Sequence, residues 1–107
     1  MTDFRDRERG EESKFAMDAQ TAFRVAARRN RLLGHWAAEK MGLSPEETEA
    51  YAKAVIQADF EEAGDEDVIR KVLGDLTGAG VEIDEAGVRA ALEEKNVEAK
   101  RQLMSES

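Results

Sequence analysis

The chain has 107 residues with one proline, six aromatic residues and no cysteine, 37% of its residues are charged, and its net charge is −8. That length suits one small domain, and few aromatics with one proline argue for helices rather than a β-sandwich. The missing cysteines exclude a disulfide framework and a thiolate metal site, and the acidic balance disfavours nucleic acid, whose phosphates need an excess of Lys and Arg.

No apolar run approaches the ~20 residues of a membrane span, and the N-terminus lacks the apolar core of a secretory signal. The expected compartment is the cytoplasm, with no direct membrane insertion. The charge is uneven: residues 1–17 carry −1, residues 18–42 carry +3 and residues 43–107 carry −10. A basic stretch beside an acidic remainder is most simply an intramolecular ion-pairing arrangement on solvated helix faces.

Residues 1–17, MTDFRDRERGEESKFAM, are dominated by charges of alternating sign, and Gly10 interrupts any helix there at a cost of about 1 kcal/mol relative to Ala. The free segment is expected to be disordered or a frayed helix. Phe4 and Phe15 stand eleven residues apart, and eleven steps of 100° make three turns plus about 20°. A helix induced by a partner would bring both rings to one face, roughly 16 Å apart, as in a helix-in-groove ligand. The plainer alternative is a solvated tail whose Phe15 packs at the start of the first helix.

The first helix is expected from Asp18, a good N-cap, to about residue 41, before Gly42. Ala22, Phe23, Ala26, Leu33, Ala37 and Met41 share one side, and Arg24, Arg28 and Arg31 fall on another. Gly34 is the weak point of the run. Trp36 reads as core or groove lining, and His35, with no HxxxH or HExxH companion, as a surface or structural histidine rather than a metal ligand.

Ser44-Pro45-Glu46-Glu47 is a capping box with proline at the first helical position. It starts a second helix over about 45–63, with Ala52, Val55, Ile56, Phe60 and Ala63 as its apolar face. Asp65-Glu66-Asp67 places negative charge at the start of a third helix, about 66–77, striped by Val68, Ile69, Val72, Leu73 and Leu76. Asp84 caps a fourth, about 85–103, with Ile83 and Val88 as a hydrophobic staple and Ala91, Leu92, Ala99 and Leu103 continuing the face. The fold class is therefore all-α: a four-helix bundle-like domain over 18–107 with a disordered or frayed segment over 1–17.

Catalytic and metal motifs fail on inspection. The acidic run from Asp59 has Ala63 and Arg70 where a calcium loop needs its fifth and twelfth ligands. Gly78-Ala79-Gly80 lacks the third glycine of a dinucleotide loop, and no phosphate-binding GxxxxGK[ST] occurs. No nucleophile–base set is present, so no catalytic residue, metal ligand or cofactor is assigned and an enzyme is not expected.

Lys14-Phe15-Ala16, Phe23, Ala27-Arg28-Arg29-Asn30-Arg31-Leu32-Leu33-Gly34, Trp36-Ala37-Ala38-Glu39 and Gly42-Leu43 together resemble the zeta-subunit family, small bacterial inhibitors of the F-type ATP synthase. Phe4 and Arg5 also resemble the family's N-terminal pattern, and the similarity extends over nearly the whole chain. The resemblance implies four helices with a mobile N-terminal segment that becomes helical between subunits of the catalytic head (alpha, beta and gamma). There it would block rotation in the hydrolytic direction and largely spare synthesis.

Carried onto this chain, the inhibitory element is Met1 to about Ala19, with Phe4, Arg5, Arg7, Arg9, Lys14 and Phe15 as contacts, and the globular helices would hold the protein on the outside of the head, with Arg24, Arg28, Arg29 and Arg31 as a candidate docking or anion-binding face. The protein would sit at the inner face of the cell membrane when bound and be a monomer when free. Gly10 and Ala19-Gln20-Thr21 depart from more helix-favouring family residues, which raises the cost of making the segment helical and implies reduced potency. Two rival readings follow from the residues: a module binding a small anion, such as a weakly held nucleotide, on Arg24, Arg28, Arg29 and Arg31; or a helical adaptor whose tail only confers solubility.

Overall fold

A computed structural model of the chain describes residues 19–61 and 64–106. Four helices follow one another: α1 (Ala19–Met41), α2 (Pro45–Glu61), α3 (Glu66–Gly78) and α4 (Glu85–Glu106). No strand occurs among the described residues. The expected all-α fold of four helices is thus present. The fourth helix runs past its expected end at residue 103 to Glu106, because Gln102 and Glu106 both engage Arg28 on α1. The expected N-cap Asp18 and the last positions of the second helix, Glu62 and Ala63, lie outside the described residues.

The boundaries follow from local chemistry. After α1, Gly42 has φ 74°, a left-handed conformation that costs glycine little. It lets the Leu43 N–H reach the Ala38 carbonyl at 3.0 Å and closes the helix end. The capping box forms in both directions: the Ser44 hydroxyl accepts from the Glu47 N–H at 3.1 Å, and the Glu47 carboxylate accepts from the Ser44 N–H at 2.8 Å. Gly80, at φ 86°, repeats the closure after α3, with the Val81 N–H donating to the Leu76 carbonyl at 3.0 Å. Asp84 Oδ1 accepts from the Gly87 N–H at 2.9 Å and starts α4.

α1 is the central element. It packs most extensively on α2, then on α4, and touches α3. The core is Leu33 and Ala37 from α1, Val55 from α2, Val68, Ile69, Val72 and Leu76 from α3, and Val88, Ala91 and Leu92 from α4, with Trp36, Tyr51 and Ile83 packed against it. Of the stripes expected for α3 and α4, Val68, Ile69, Val72, Leu76, Val88, Ala91, Leu92 and Ala99 are buried, while Leu73 and Leu103 are half-buried.

The face of α1 differs from expectation. Its buried residues are Val25, Arg29, Asn30, Leu33, Gly34, Ala37 and Ala38, whereas Ala22 and Phe23 are exposed and Ala26 is half-buried. The buried set runs along two adjacent i, i+4 rows, 25-29-33-37 and 30-34-38, so the face is centred on polar and small residues. Phe60, expected inside α2's apolar face, is also exposed.

Tyr51 ties α2 to α3. Its hydroxyl donates to Asp75 Oδ2 at 2.8 Å, Lys71 Nζ lies 3.1 Å from the same oxygen, and that ammonium sits 5.2 Å from the ring centroid. Burial, then the hydrogen bond to Asp75, then that carboxylate's charge, push the phenol pKa far up from its ordinary value of 10.0. A folded-state pKa above the unfolded one gives stability that is complete below pH 10 and lost as the pH rises beyond it. Tyr51→Phe is accordingly expected to lower stability by about 1 kcal/mol at neutral pH and to fall less steeply than the wild type above pH 10. Urea unfolding of both proteins across that range reads the difference; parallel curves would rule the account out.

Candidate partner-binding site

The four arginines of α1 do not share one environment. Arg29 points into the domain and is 8% exposed beside Asn30, which is wholly buried. Arg29 Nη1 lies 3.1 Å from Asp65 Oδ1, and Arg29 Nη2 lies 3.5 Å from Asp59 Oδ2. Asn30 bridges the two partners, accepting from Arg29 Nε at 3.1 Å and donating to Asp59 Oδ2 at 2.9 Å. This polar cluster joins α1 to the end of α2 and to the residue preceding α3. Hydropathy hides it, because Arg and Asn inside a helix read as solvated; the signal in the sequence is their place on the i, i+4 rows of the buried face, Arg29 with Val25, Leu33 and Ala37, and Asn30 with Gly34 and Ala38.

The other three lie toward the surface. Arg28 Nη1 is 2.9 Å from Glu106 Oε2 and donates to Gln102 Oε1 at 2.9 Å; Arg24 Nη2 is 3.9 Å from Glu106 Oε1. The Arg28 hydrogen bond and the positive charge of Arg28 and Arg24 hold the Glu106 carboxyl below its usual range. Arg31 Nη2 lies 2.9 Å from Glu49 Oε1 on α2. Each basic group of the candidate face is thus met by a carboxylate of the same chain, and an incoming anion has to displace Glu106 or Glu49. At such exposed pairs that displacement is inexpensive.

Two open grooves flank this helix. One of about 510 Å³ is lined by Leu32, His35, Trp36, Leu43, Glu49 and Lys95 among others, so Trp36 is groove lining as expected. His35 Nε2 lies 3.3 Å from Glu49 Oε2 but makes no hydrogen bond. Lys40 Nζ caps the Trp36 ring at 5.2 Å. The second groove, about 270 Å³, runs past Phe23, Arg24, Ala27, Arg28, Arg31 and Ile56. Phe23 and Phe60 stack across its edge with ring centroids 5.2 Å apart.

Among the described residues there is no cluster of three or more His, Cys, Asp or Glu placed to hold a metal ion, and no helix long and apolar enough to cross a membrane. Phe4, Arg5, Arg7, Arg9, Lys14 and Phe15, the contacts expected of the N-terminal segment, lie outside the described residues. What is described of that end is its junction: Ala19-Gln20-Thr21 form the first turn of α1, which carries no acidic residue.

Comparison with known proteins gives this arrangement a context. The family profile described as ATPase inhibitor subunit zeta matches residues 1–102. A structure solved in solution by NMR is similar in fold, with a TM-score of 0.70 and 55% sequence identity, over 79% of this chain and 96% of that one. No curated protein matches the chain. The profile spans the charged N-terminal segment, the arginine-bearing α1 and the three helices packed around it, and the chain belongs to the ATPase inhibitor subunit zeta family.

Proposed function

We propose that this protein inhibits ATP hydrolysis by an F-type ATP synthase, with Met1 to about Ala19 entering the catalytic head as a helix between its alpha, beta and gamma subunits. Rotation in the hydrolytic direction is blocked, and synthesis is largely spared. The protein is then a regulator that carries out no chemistry itself and works at the inner face of the membrane that holds the enzyme. The observation that carries this reading is the family match beginning at residue 1, so that it includes the segment with the two in-line phenylalanines.

Physical chemistry supports it. A charged segment with few apolar side chains of its own to bury would gain order from a partner that buries Phe4 and Phe15, each contributing roughly 2–3 kcal/mol before the ordering cost. Arg5, Arg7, Arg9 and Lys14 add charge-assisted contacts that fix register. The segment is joined to a helix whose first turn already exists at Ala19. Extending that helix is propagation, which avoids most of the nucleation cost of a free peptide. Gly10 opposes the extension by about 1 kcal/mol.

Replacing both Phe4 and Phe15 by serine is expected to raise the concentration needed for half-inhibition of the cognate head at least about tenfold. The melting of the four helices should not change. Unaltered inhibition by this variant would remove the two rings from the mechanism.

A further inference from the structure

α1 begins well before it enters the core. Val25 is its first buried residue, and of residues 19–24 all but the half-buried Thr21 are exposed. A helix end with so little to bury ordinarily frays. Here side chains hold it from two directions. Phe23 stacks on Phe60 near the end of α2, with ring centroids 5.2 Å apart, and Arg24 Nη2 lies 3.9 Å from Glu106, the last residue of α4. Arg28, one turn on, holds the same carboxylate at 2.9 Å. The junction with the inhibitory segment therefore has a fixed rotational setting about the axis of α1.

That setting can be carried back along the sequence. Phe15 stands eighteen residues before the core residue Leu33, which is five whole turns at 3.6 residues per turn. Phe4 stands eleven residues further back, within about 20° of the same line. On a helix continued without a break from α1, Phe4, Phe15, Ala22, Ala26, Leu33 and Ala37 thus form one row, to within about 40°. The buried residues of α1, from Val25 to Ala38, cover a face whose middle lies about 30° from Leu33. A continuous helix therefore turns both phenyl rings to the side of its axis on which the rest of the domain packs.

We infer that the inhibitory segment and α1 act as one phase-locked helix, in which residues 19–24 are a rigid spacer that aims Phe4 and Phe15 to the domain's own side of the axis. The inference rests on the inhibitor reading above and adds to it the facing of the rings. The partner's apolar surface then meets the helix on the side that α2 and α4 cover further along α1. A loose tether would let the rings face any way. A rigid spacer admits one facing, because turning the rings swings the domain about the axis by the same angle. The Phe23–Phe60 stack and the Arg24 and Arg28 contacts to Glu106 keep that setting, which gives these exposed groups a task.

The test separates rotation from length. Two alanines inserted between Ala19 and Gln20 of the full-length protein turn the segment by about 200° and shift it by about 3 Å. Four alanines shift it by about 6 Å but turn it by only about 40° net. ATP hydrolysis by the cognate head is titrated with the wild type and both variants, and helical content and melting are followed by circular dichroism. The half-inhibition concentration of the two-alanine variant is expected to be at least about tenfold above that of the four-alanine variant, which stays nearer the wild type although it is longer.

Equal inhibition by the two variants would mean a loose tether and overturns the inference while leaving the inhibitor reading intact. A loss that grows with length, larger for four alanines than for two, would mean that reach and not facing is what matters, and overturns it as well. A wild type that does not inhibit overturns both readings. The same insertions placed between Met17 and Asp18 leave every residue of α1 in its place. They are expected to give the same order, so the answer does not depend on how well the first turn of α1 accepts added residues.

Discussion

Gly34→Ala is expected to destabilise the protein by about 1–3 kcal/mol, although alanine is the better helix former by about 1 kcal/mol. A Cβ added at Gly34 would lie 2.7 Å from Ala52 Cα and 3.2 Å from Ala52 Cβ on α2. The first of these is backbone, so no side-chain rotation relieves the overlap and α1 and α2 must move apart. That crossing is the most extensive contact in the fold, and the displacement would be felt by Leu33, Ala37 and Val55 in the core beside it. Gly74, within α3, is the control: nothing lies within 4 Å of a Cβ added there, and Gly74→Ala is expected to stabilise by about 0.5–1 kcal/mol. Chemical unfolding of the two variants should move the midpoints in opposite directions, and a stabilising Gly34→Ala would show that the helices are not in close contact at this point.

The second large effect is expected at Asp59. Its carboxylate accepts from buried Asn30 at 2.9 Å and lies 3.5 Å from the Arg29 guanidinium, with both charged side chains almost out of solvent. Asp59→Ala leaves the Asn30 amide without its acceptor and Arg29 with only Asp65, whose side chain is half exposed. The expected loss is about 3 kcal/mol, toward the lower end for a broken buried pair because Asp65 remains. Asp59→Asn keeps an oxygen for Asn30 and removes the charge, so it is expected to lose less than the alanine variant. Equilibrium unfolding orders the three proteins. A loss below about 1 kcal/mol for Asp59→Ala would mean that water or Asp65 satisfies the cluster without Asp59.

These two sites mark where the amino-acid pattern is least transparent. The capping box at Ser44–Glu47, the stripe Val68, Ile69, Val72 and Leu76, and the run Val88, Ala91, Leu92 and Ala99 are legible because caps and apolar periodicity are the signals that local physics writes most plainly. The buried face of α1 is not, because Arg29, Asn30 and Gly34 occupy it. A charged residue and an amide score against burial, and a glycine has no apolar side chain to mark a face; their place in the interior is set by Asp59, Asp65 and Ala52, which arrive from elsewhere in the chain. Phe23 and Phe60 mislead in the other direction, since an aromatic ring at the surface has the same letter as one in the core.

The arginine face was legible in part. The four and three spacing of Arg24, Arg28 and Arg31 places them on one side, and all three line or border the same groove. Arg29 follows Arg28 by one residue, a rotation of about 100°, which carries it off that side and into the domain. What the spacing cannot supply is the partner of each guanidinium, because Glu49 and Glu106 come from other helices.

In the proposed reading, the segment before α1 gains helix by extension from the first turn at Ala19. The measurement that tests this most directly is ATP hydrolysis by the purified cognate head at low ionic strength, with the full-length protein and with a version lacking residues 1–15. The account predicts that the full-length protein inhibits, and that the shortened one keeps its helical signal and melting and does not inhibit. Inhibition by the shortened protein equal to that of the full chain, or none by the folded full chain, would contradict it.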